Sequence, residues 1–300
     1  WERFIATVTR NPGLAIFLQK AVGYSLSGST REKCLFMLEG PTDSGKTTFL
    51  ETIGNLLREA GYATQVPAEM LLAKREGGIP SDLAKCAGRR FVWTSETDDN
   101  RRLATGLIKA ITGRDRLSAR ALYQDWFDFT STFKLWFATN HRPTIRESGD
   151  AIWNRIRYIP FAFTLRKDEQ DRELPAKLQS EVPGILAWAV RGCRRWLAEG
   201  LEPAEVMSEA LSAYRREMDL IMQWVEERCV CEEGVESQAL PLYQAYSEWA
   251  RHMNEVPLSK NKFTPILARH FANELRRNRS YFRGIRLMTA LEAEGIGPRA

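Results

Sequence analysis

The residues best suited to chemistry in this 300-residue chain sit in one stretch, Gly40-Pro41-Thr42-Asp43-Ser44-Gly45-Lys46-Thr47-Thr48. Its spacing is G-x-x-x-x-G-K-[ST]. The glycines let backbone N–H groups close around phosphate oxygens, the Lys46 ammonium reaches the β and γ phosphates, and the Thr47 hydroxyl is a ligand for Mg²⁺. The pattern carries weight only between a strand and a helix. Both flanks are present, since the apolar run Leu35 to Leu38 precedes the loop and Phe49 to Ala60 reads as a helix. The implied chemistry is binding of a nucleoside triphosphate, ATP by expectation, together with Mg²⁺.

Other polar groups fall where open α/β sheets bind ligands, beyond the C-terminal ends of strands. The strand-like run Phe91 to Thr94 delivers Ser95 and Glu96, with Asp98 and Asp99 just downstream. A carboxylate at Glu96 can polarise a water molecule or hold Mg²⁺ through water. The strongest strand pattern, Phe133 to Thr139, runs into Asn140, whose amide both donates and accepts hydrogen bonds. Such a group can sense a γ-phosphate while orienting water.

Strands alternating with helices predict an α/β fold with a parallel sheet. Residues 1–30 form a helical segment in this reading, starting at Pro12 and ended by Gly23 and Gly28. An ATPase core follows over 31–203. It includes a linker at Lys74 to Pro80, a short helix at Ser81 to Ala87, a helix from Arg101 to Thr112, and a hairpin with arms Leu117 to Ala121 and Trp126 to Thr130. A turn of helix at Ala151 to Asn154 then enters the strand Arg155 to Phe161. Residues 204–300 hold a bridging helix, Glu205 to Met218, three helices near Leu220 to Arg228, Leu242 to Met253 and Phe263 to Arg276, and an extended Tyr281 to Met288. Three helices and a β-wing predict a winged-helix module.

Composition narrows the setting. Hydrophobic residues make up 44% of the chain, enough for one large core or two smaller ones. The net charge of +5 is uneven: residues 251–300 carry ten Lys/Arg against four Asp/Glu, leaving 33 against 34 in the rest. That end is expected to meet a polyanion. Five scattered cysteines and three histidines support neither a disulfide framework nor a zinc site, and no apolar stretch is long enough for a membrane span. A reducing cytoplasm is the expected compartment.

Taken in order, the segments GPTDSGKTT, VWTSETDD, KAITGRDRLSAR, FATNHRP and AIWNRIRYIPF resemble the superfamily 3 helicase core of phage and plasmid primase-helicases, a group that includes the poxvirus primase-helicase. VPGILAWAV and the tail SQALPLYQAYSEWA…FRGIRL resemble the regions that follow that motor. The resemblance implies an AAA+-type ring, usually hexameric, that hydrolyses ATP at subunit interfaces and pulls single-stranded DNA through its channel in the 3′ to 5′ direction. It implies replication of a phage, plasmid or mobile element in a bacterial cytoplasm, forked DNA as a substrate, and a primase domain upstream in a longer chain. Arg155 matches the arginine finger supplied to a neighbouring subunit, with Arg157 able to exchange roles with it. The hairpin matches the element that grips DNA, with Arg120, Tyr123 and Gln124 as tip candidates for phosphate, stacking and hydrogen-bond contacts. Lys260, Lys262, Arg276, Arg277, Arg279 and Arg283 are the candidate DNA contacts of the tail. One departure stands out, since relatives carry an acid where this chain has Ser95, so that Glu96 serves both purposes or Ser95 acts through metal-bound water. Two other readings remain at this stage: an initiator that uses ATP as a switch to melt or mark an origin, and a small-metabolite P-loop kinase.

Overall fold

The computed structural model describes residues 1–73, 81–96, 102–120, 124–145, 150–166, 170–276 and 279–289. Two compact units divide the chain, residues 1–214 and 215–300, the boundary falling inside a helix.

The first unit opens with α1 (Glu2–Thr9) and α2 (Pro12–Ser25). Asn11 caps α2 by accepting from the Leu14 N–H at 2.9 Å, and Pro12 fills the first turn, where no N–H is needed. There follow β1 (Leu35–Glu39), α3 (Lys46–Arg58), β2 (Ala63–Gln65), a 3-10 turn at Ser81–Cys86, β3 (Phe91–Glu96), α4 (Thr105–Thr112), β4 (Arg116–Ala119), β5 (Phe127–Thr130), β6 (Lys134–Thr139), α5 (Asp150–Trp153), β7 (Ile156–Pro160), α6 (Leu174–Ser180), α7 (Val182–Glu199) and α8 (Glu205–Glu217).

Five of these strands make the expected parallel sheet, in the order β2-β3-β6-β1-β7. β6 and the Leu35 to Leu38 run of β1 are buried throughout, which is why they read as unbroken apolar runs: helices cover both faces. The register sets Thr139 of β6 beside Glu39 of β1 on one side and beside Glu96 of β3 on the other. The C-terminal ends of all three strands therefore emerge along one edge. Phe36, Leu38, Trp93 and Trp136 of the sheet share a single core with Phe49 and Ile53 of α3, Phe4 and Ile5 of α1, Phe17 and Leu18 of α2, and Trp188 of α7. The segment 1–30 is thus built into the sheet unit.

Gly23 does not end α2, which runs through it to Ser25. The reason lies far away in sequence. A Cβ on Gly23 would fall 2.0 Å from the Cys193 nitrogen, and one on Gly192 of α7 would fall 1.9 Å from the Gln19 carbonyl oxygen. Glycine at both positions lets the backbones of α2 and α7 touch.

The second unit comprises α9 (Leu220–Arg228), β8 (Cys229–Val230), β9 (Glu236–Gln238), α10 (Ala239–His252), α11 (Lys260–Leu267), β10 (Asn273–Arg276), β11 (Arg279–Arg283) and β12 (Arg286–Leu287). Trp224, Leu242, Tyr246, Phe263, Leu267 and Phe282 form its core, so the aromatic stripes of α10 and α11 are packing surfaces. The helix expected over Phe263 to Arg276 stops at Leu267. Asn273–Arg276 becomes a strand because Arg279–Arg283 folds back to pair with it, and β9 adds a third strand. Among the described residues, no helix is long and apolar enough to cross a membrane.

Candidate nucleotide site

The loop after β1 is held by its neighbours on both sides. Gly40 donates its N–H to the Thr139 carbonyl at 3.3 Å, and a Cβ there would lie 2.1 Å from the Phe161 carbonyl oxygen, so only glycine fits. Asp43 and Gly45 take left-handed backbone angles, φ 60° and 90°, and the Asp43 carbonyl accepts from the Leu165 N–H at 3.0 Å. α3 starts on Lys46 with no side chain capping its first turn. Its leading N–H groups therefore keep their capacity to bind an anion. Lys46 is buried and donates to the carbonyls of Gly40 and Pro41 at 2.7 and 2.8 Å and to Ser44 Oγ at 3.0 Å. Burial pushes its ammonium below the ordinary value, while the charges of Glu39 and Asp43 pull the other way. A cation held by the loop's own oxygens beneath an uncapped helix start suits a phosphate.

Three further sequence candidates come to the same edge. Asn140 directly follows β6 and is half-buried. Its turn is fixed by Thr139, whose Oγ1 donates to the His141 carbonyl at 2.6 Å and accepts from the His141 N–H at 3.2 Å. Ser95, exposed, and the backbone of Glu96 close β3 one strand further on. With strands about 4.8 Å apart, Glu39 and Glu96 lie about 10 Å apart across β6. The Thr47 and Ser95 hydroxyls are both exposed, and a hydroxyl oxygen is a donor of the kind Mg²⁺ takes. Asp98 and Asp99 lie outside the described residues.

Arg155 is not at this edge. It occupies the turn before β7, where its carbonyl accepts from the Leu35 N–H at 2.8 Å at the start of β1. The five residues of β1 separate it from the phosphate loop by about 16 Å. Arg157 is on β7 as expected, whereas Arg155 precedes the strand. Their Nη1 atoms donate to the carbonyls of Asn154 and Ala151, at 3.0 and 2.6 Å respectively.

Two families match successive parts of the chain. One, described as a family of unknown function (DUF5906), covers residues 38–155, from the phosphate loop through Glu96 and Asn140 to Arg155. The other, described as Poxvirus D5 protein-like, covers residues 216–288 and lies within the second unit. "Putative helicase L207/L206" of Acanthamoeba polyphaga mimivirus is 23% identical over 271 residues, spanning 82% of this chain and 28% of that protein. "Putative helicase 022R" of Frog virus 3 is 25% identical over 268 residues, spanning 82% and 27%. The chain thus corresponds to less than a third of these viral proteins. The apo structure of the NrS-1 C-terminal region shares the fold, with a TM-score of 0.59 at 9% identity over 95% of this chain and 74% of that one. The chain is thus similar to parts of viral proteins named as putative helicases and, in its second unit, to the Poxvirus D5 protein-like family.

In the first unit β4 and β5 form the expected antiparallel hairpin. Tyr123 lies outside the described residues, while Arg120 and Gln124 are exposed beside the turn. The Arg120 guanidinium stands 5.2 Å from the ring centre of Trp126, a residue the sequence reading passed over although it is 57% exposed. Its signal was a large aromatic amid polar neighbours at a hairpin turn.

In the second unit Lys260 and Lys262 of α11 are exposed, as is Arg279, and Arg277 lies outside the described residues. Arg276 and Arg283 are not free cations. Arg276 donates to both Glu236 oxygens at 3.1 Å and to Glu274 at 2.8 Å, and Arg283 donates to Glu274 at 2.5 Å. The acids on β9 and β10 that neutralise them were counted in the sequence only as bulk charge.

Proposed function

We propose that the chain is an ATP-driven DNA motor of the superfamily 3 type, assembled as a ring, probing and separating strands as it moves 3′ to 5′ on single-stranded DNA. The observation that carries this reading is the strand order: β6, with Asn140, lies between the loop strand β1 and β3, with Glu96. That order brings the phosphate loop, Asn140 and the Glu96 backbone to one edge, which supports a site that holds a nucleotide and activates water. The relatives named as helicases support the choice of a nucleic-acid motor over a metabolite kinase.

In this mechanism the first-turn N–H groups of α3 and Lys46 hold the phosphates, with Lys46 trading its contacts to Gly40, Pro41 and Ser44 for phosphate oxygens. Thr47 and Glu96, with Ser95 through water, hold Mg²⁺, which supplies charge neutralisation when bound. Asn140 orients the attacking water and Glu96 takes its proton. Arg155 lies at the far end of β1 from its own loop, so a finger role requires a second copy of the chain, whose transition state its fixed positive charge offsets. The β4–β5 hairpin grips DNA through Arg120, Gln124 and Trp126. The second unit, read as a winged-helix module, adds phosphate contacts through Lys260, Lys262 and Arg279.

The test is displacement of the shorter strand from a forked duplex in the presence of ATP and Mg²⁺. Displacement that is lost in Lys46→Ala supports the motor. Slow turnover with binding to one duplex sequence and no displacement favours the initiator instead.

A further inference from the structure

Three residues far apart in sequence join the Asn140 turn to the phosphate loop by side-chain hydrogen bonds. Glu39 is the last residue of β1, immediately before Gly40. Tyr158, on the neighbouring β7 and 1% exposed, donates its hydroxyl proton to Glu39 Oε2 at 2.5 Å. The same Tyr158 oxygen accepts from Arg142 Nε–H at 3.0 Å. Arg142 stands two residues beyond Asn140.

The rest of that turn is held equally closely. The Arg142 guanidinium lies 5.7 Å from the ring centres of both Tyr158 and Tyr214, and the two rings lie 5.6 Å apart. The Tyr214 hydroxyl donates to the Pro143 carbonyl, and Thr139 ties His141 at the other end. Glu39 also acts electrostatically on Lys46. The segment that carries Asn140 is therefore anchored, through Tyr158, to the residue that launches the phosphate loop.

We propose that Tyr158 and Arg142 are positioning residues for nucleotide hydrolysis, setting the Asn140 amide against the phosphates through Glu39. The proposal rests on the reading of this site as an ATPase. Hydrolysis needs the water-orienting group held in place to within a fraction of an ångström, whereas binding relies on Lys46 and the α3 amides. Loss of the phenol therefore lowers turnover and leaves affinity in place. Without that oxygen, the hydrogen-bonded link from Arg142 to Glu39 is broken.

The experiment compares the wild-type chain with Tyr158→Phe, Arg142→Ala, Arg142→Lys and the Tyr158→Phe/Arg142→Ala double variant. It measures kcat and KM for ATP, binding of a fluorescent ATP analogue, and the thermal unfolding midpoint. The expected result is a fall in kcat of about ten- to a hundredfold for Tyr158→Phe and Arg142→Ala, with KM and analogue binding near wild type. Arg142→Lys, which keeps one donor, recovers part of the loss, and the double variant is no slower than the worse single. Wild-type kcat in Tyr158→Phe overturns the proposal. So do additive losses that track the unfolding midpoint. A wild-type chain that binds the analogue and hydrolyses nothing overturns the ATPase reading itself, and the proposal with it.

Discussion

Replacing Gly192 by alanine puts one methyl group where the backbones of α2 and α7 meet. In the wild-type geometry that methyl lies 1.9 Å from the Gln19 carbonyl oxygen and 2.6 Å from its carbon. Ordinary contacts start near 3.4 Å, so the helices must part by about 1.5 Å or bend, and the obstacle is backbone that cannot rotate away. Alanine gains about 1 kcal/mol over glycine in helix propensity. Overpacking of this kind costs about 1–3 kcal/mol and more where backbone must move. The crossing also carries core residues Phe17, Leu18, Trp188 and Trp196, whose packing loosens with it. We expect a net loss of about 2–3 kcal/mol, which for a unit of this size is about 4–12 °C in Tm. Gly184, in the first turn of the same helix, meets nothing within 4 Å, so Gly184→Ala is the control and is expected to be neutral or slightly stabilising. Thermal unfolding followed by circular dichroism reads both. A Gly192→Ala variant as stable as wild type refutes the argument that glycine is there for close approach.

Stability is also expected to depend on pH through Lys134. This buried lysine donates to the carbonyls of Ser27, Ser29 and Thr132, and burial pushes its pKa from 10.5 down to about 7. Between those values the unfolded chain holds a proton that the folded chain lacks, so stability rises with pH from about 7 upward and falls as pH drops toward 7. Unfolding midpoints at pH 7 and 9 check the sign, and Lys134→Met should flatten the dependence. Trp126→Ala is expected to weaken single-stranded DNA binding by about 1–3 kcal/mol, one stacked base, without changing the unfolding midpoint, since the side chain is exposed. Fluorescence anisotropy with a labelled oligonucleotide measures it, and unchanged affinity removes Trp126 from the hairpin's contact surface.

What the sequence made legible was local. The phosphate loop, its strand and its helix are encoded within one consecutive stretch, and α3 differs from the reading in starting at Lys46 instead of Phe49 and ending at Arg58 instead of Ala60. The parallel sheet followed from alternation, and the hairpin from its two short arms. What stayed hidden depended on distant partners. Gly23 read as a helix end because nothing nearby reveals Gly192, and Asn273–Arg276 read as helix because strand pairing with Arg279–Arg283 is invisible to helical periodicity. Arg102 and Leu103, placed in a helix by the sequence, instead bridge to Thr144 and Leu72. The Glu39, Tyr158 and Arg142 chain spans three separated segments, each unremarkable alone. The tail's cations looked available until the fold brought Glu236 and Glu274 against Arg276 and Arg283. At exposed positions such pairs contribute little to stability.

The central claim is that the edge holding Lys46, Asn140 and Glu96 hydrolyses ATP in service of DNA. Its most direct test is release of inorganic phosphate from ATP and Mg²⁺ by the wild-type chain and by Lys46→Ala, with and without single-stranded DNA. Hydrolysis is expected to rise on adding DNA and to be lost in Lys46→Ala under both conditions. Robust hydrolysis by a chain that remains a monomer and is indifferent to DNA, or activity that survives in Lys46→Ala, would contradict it.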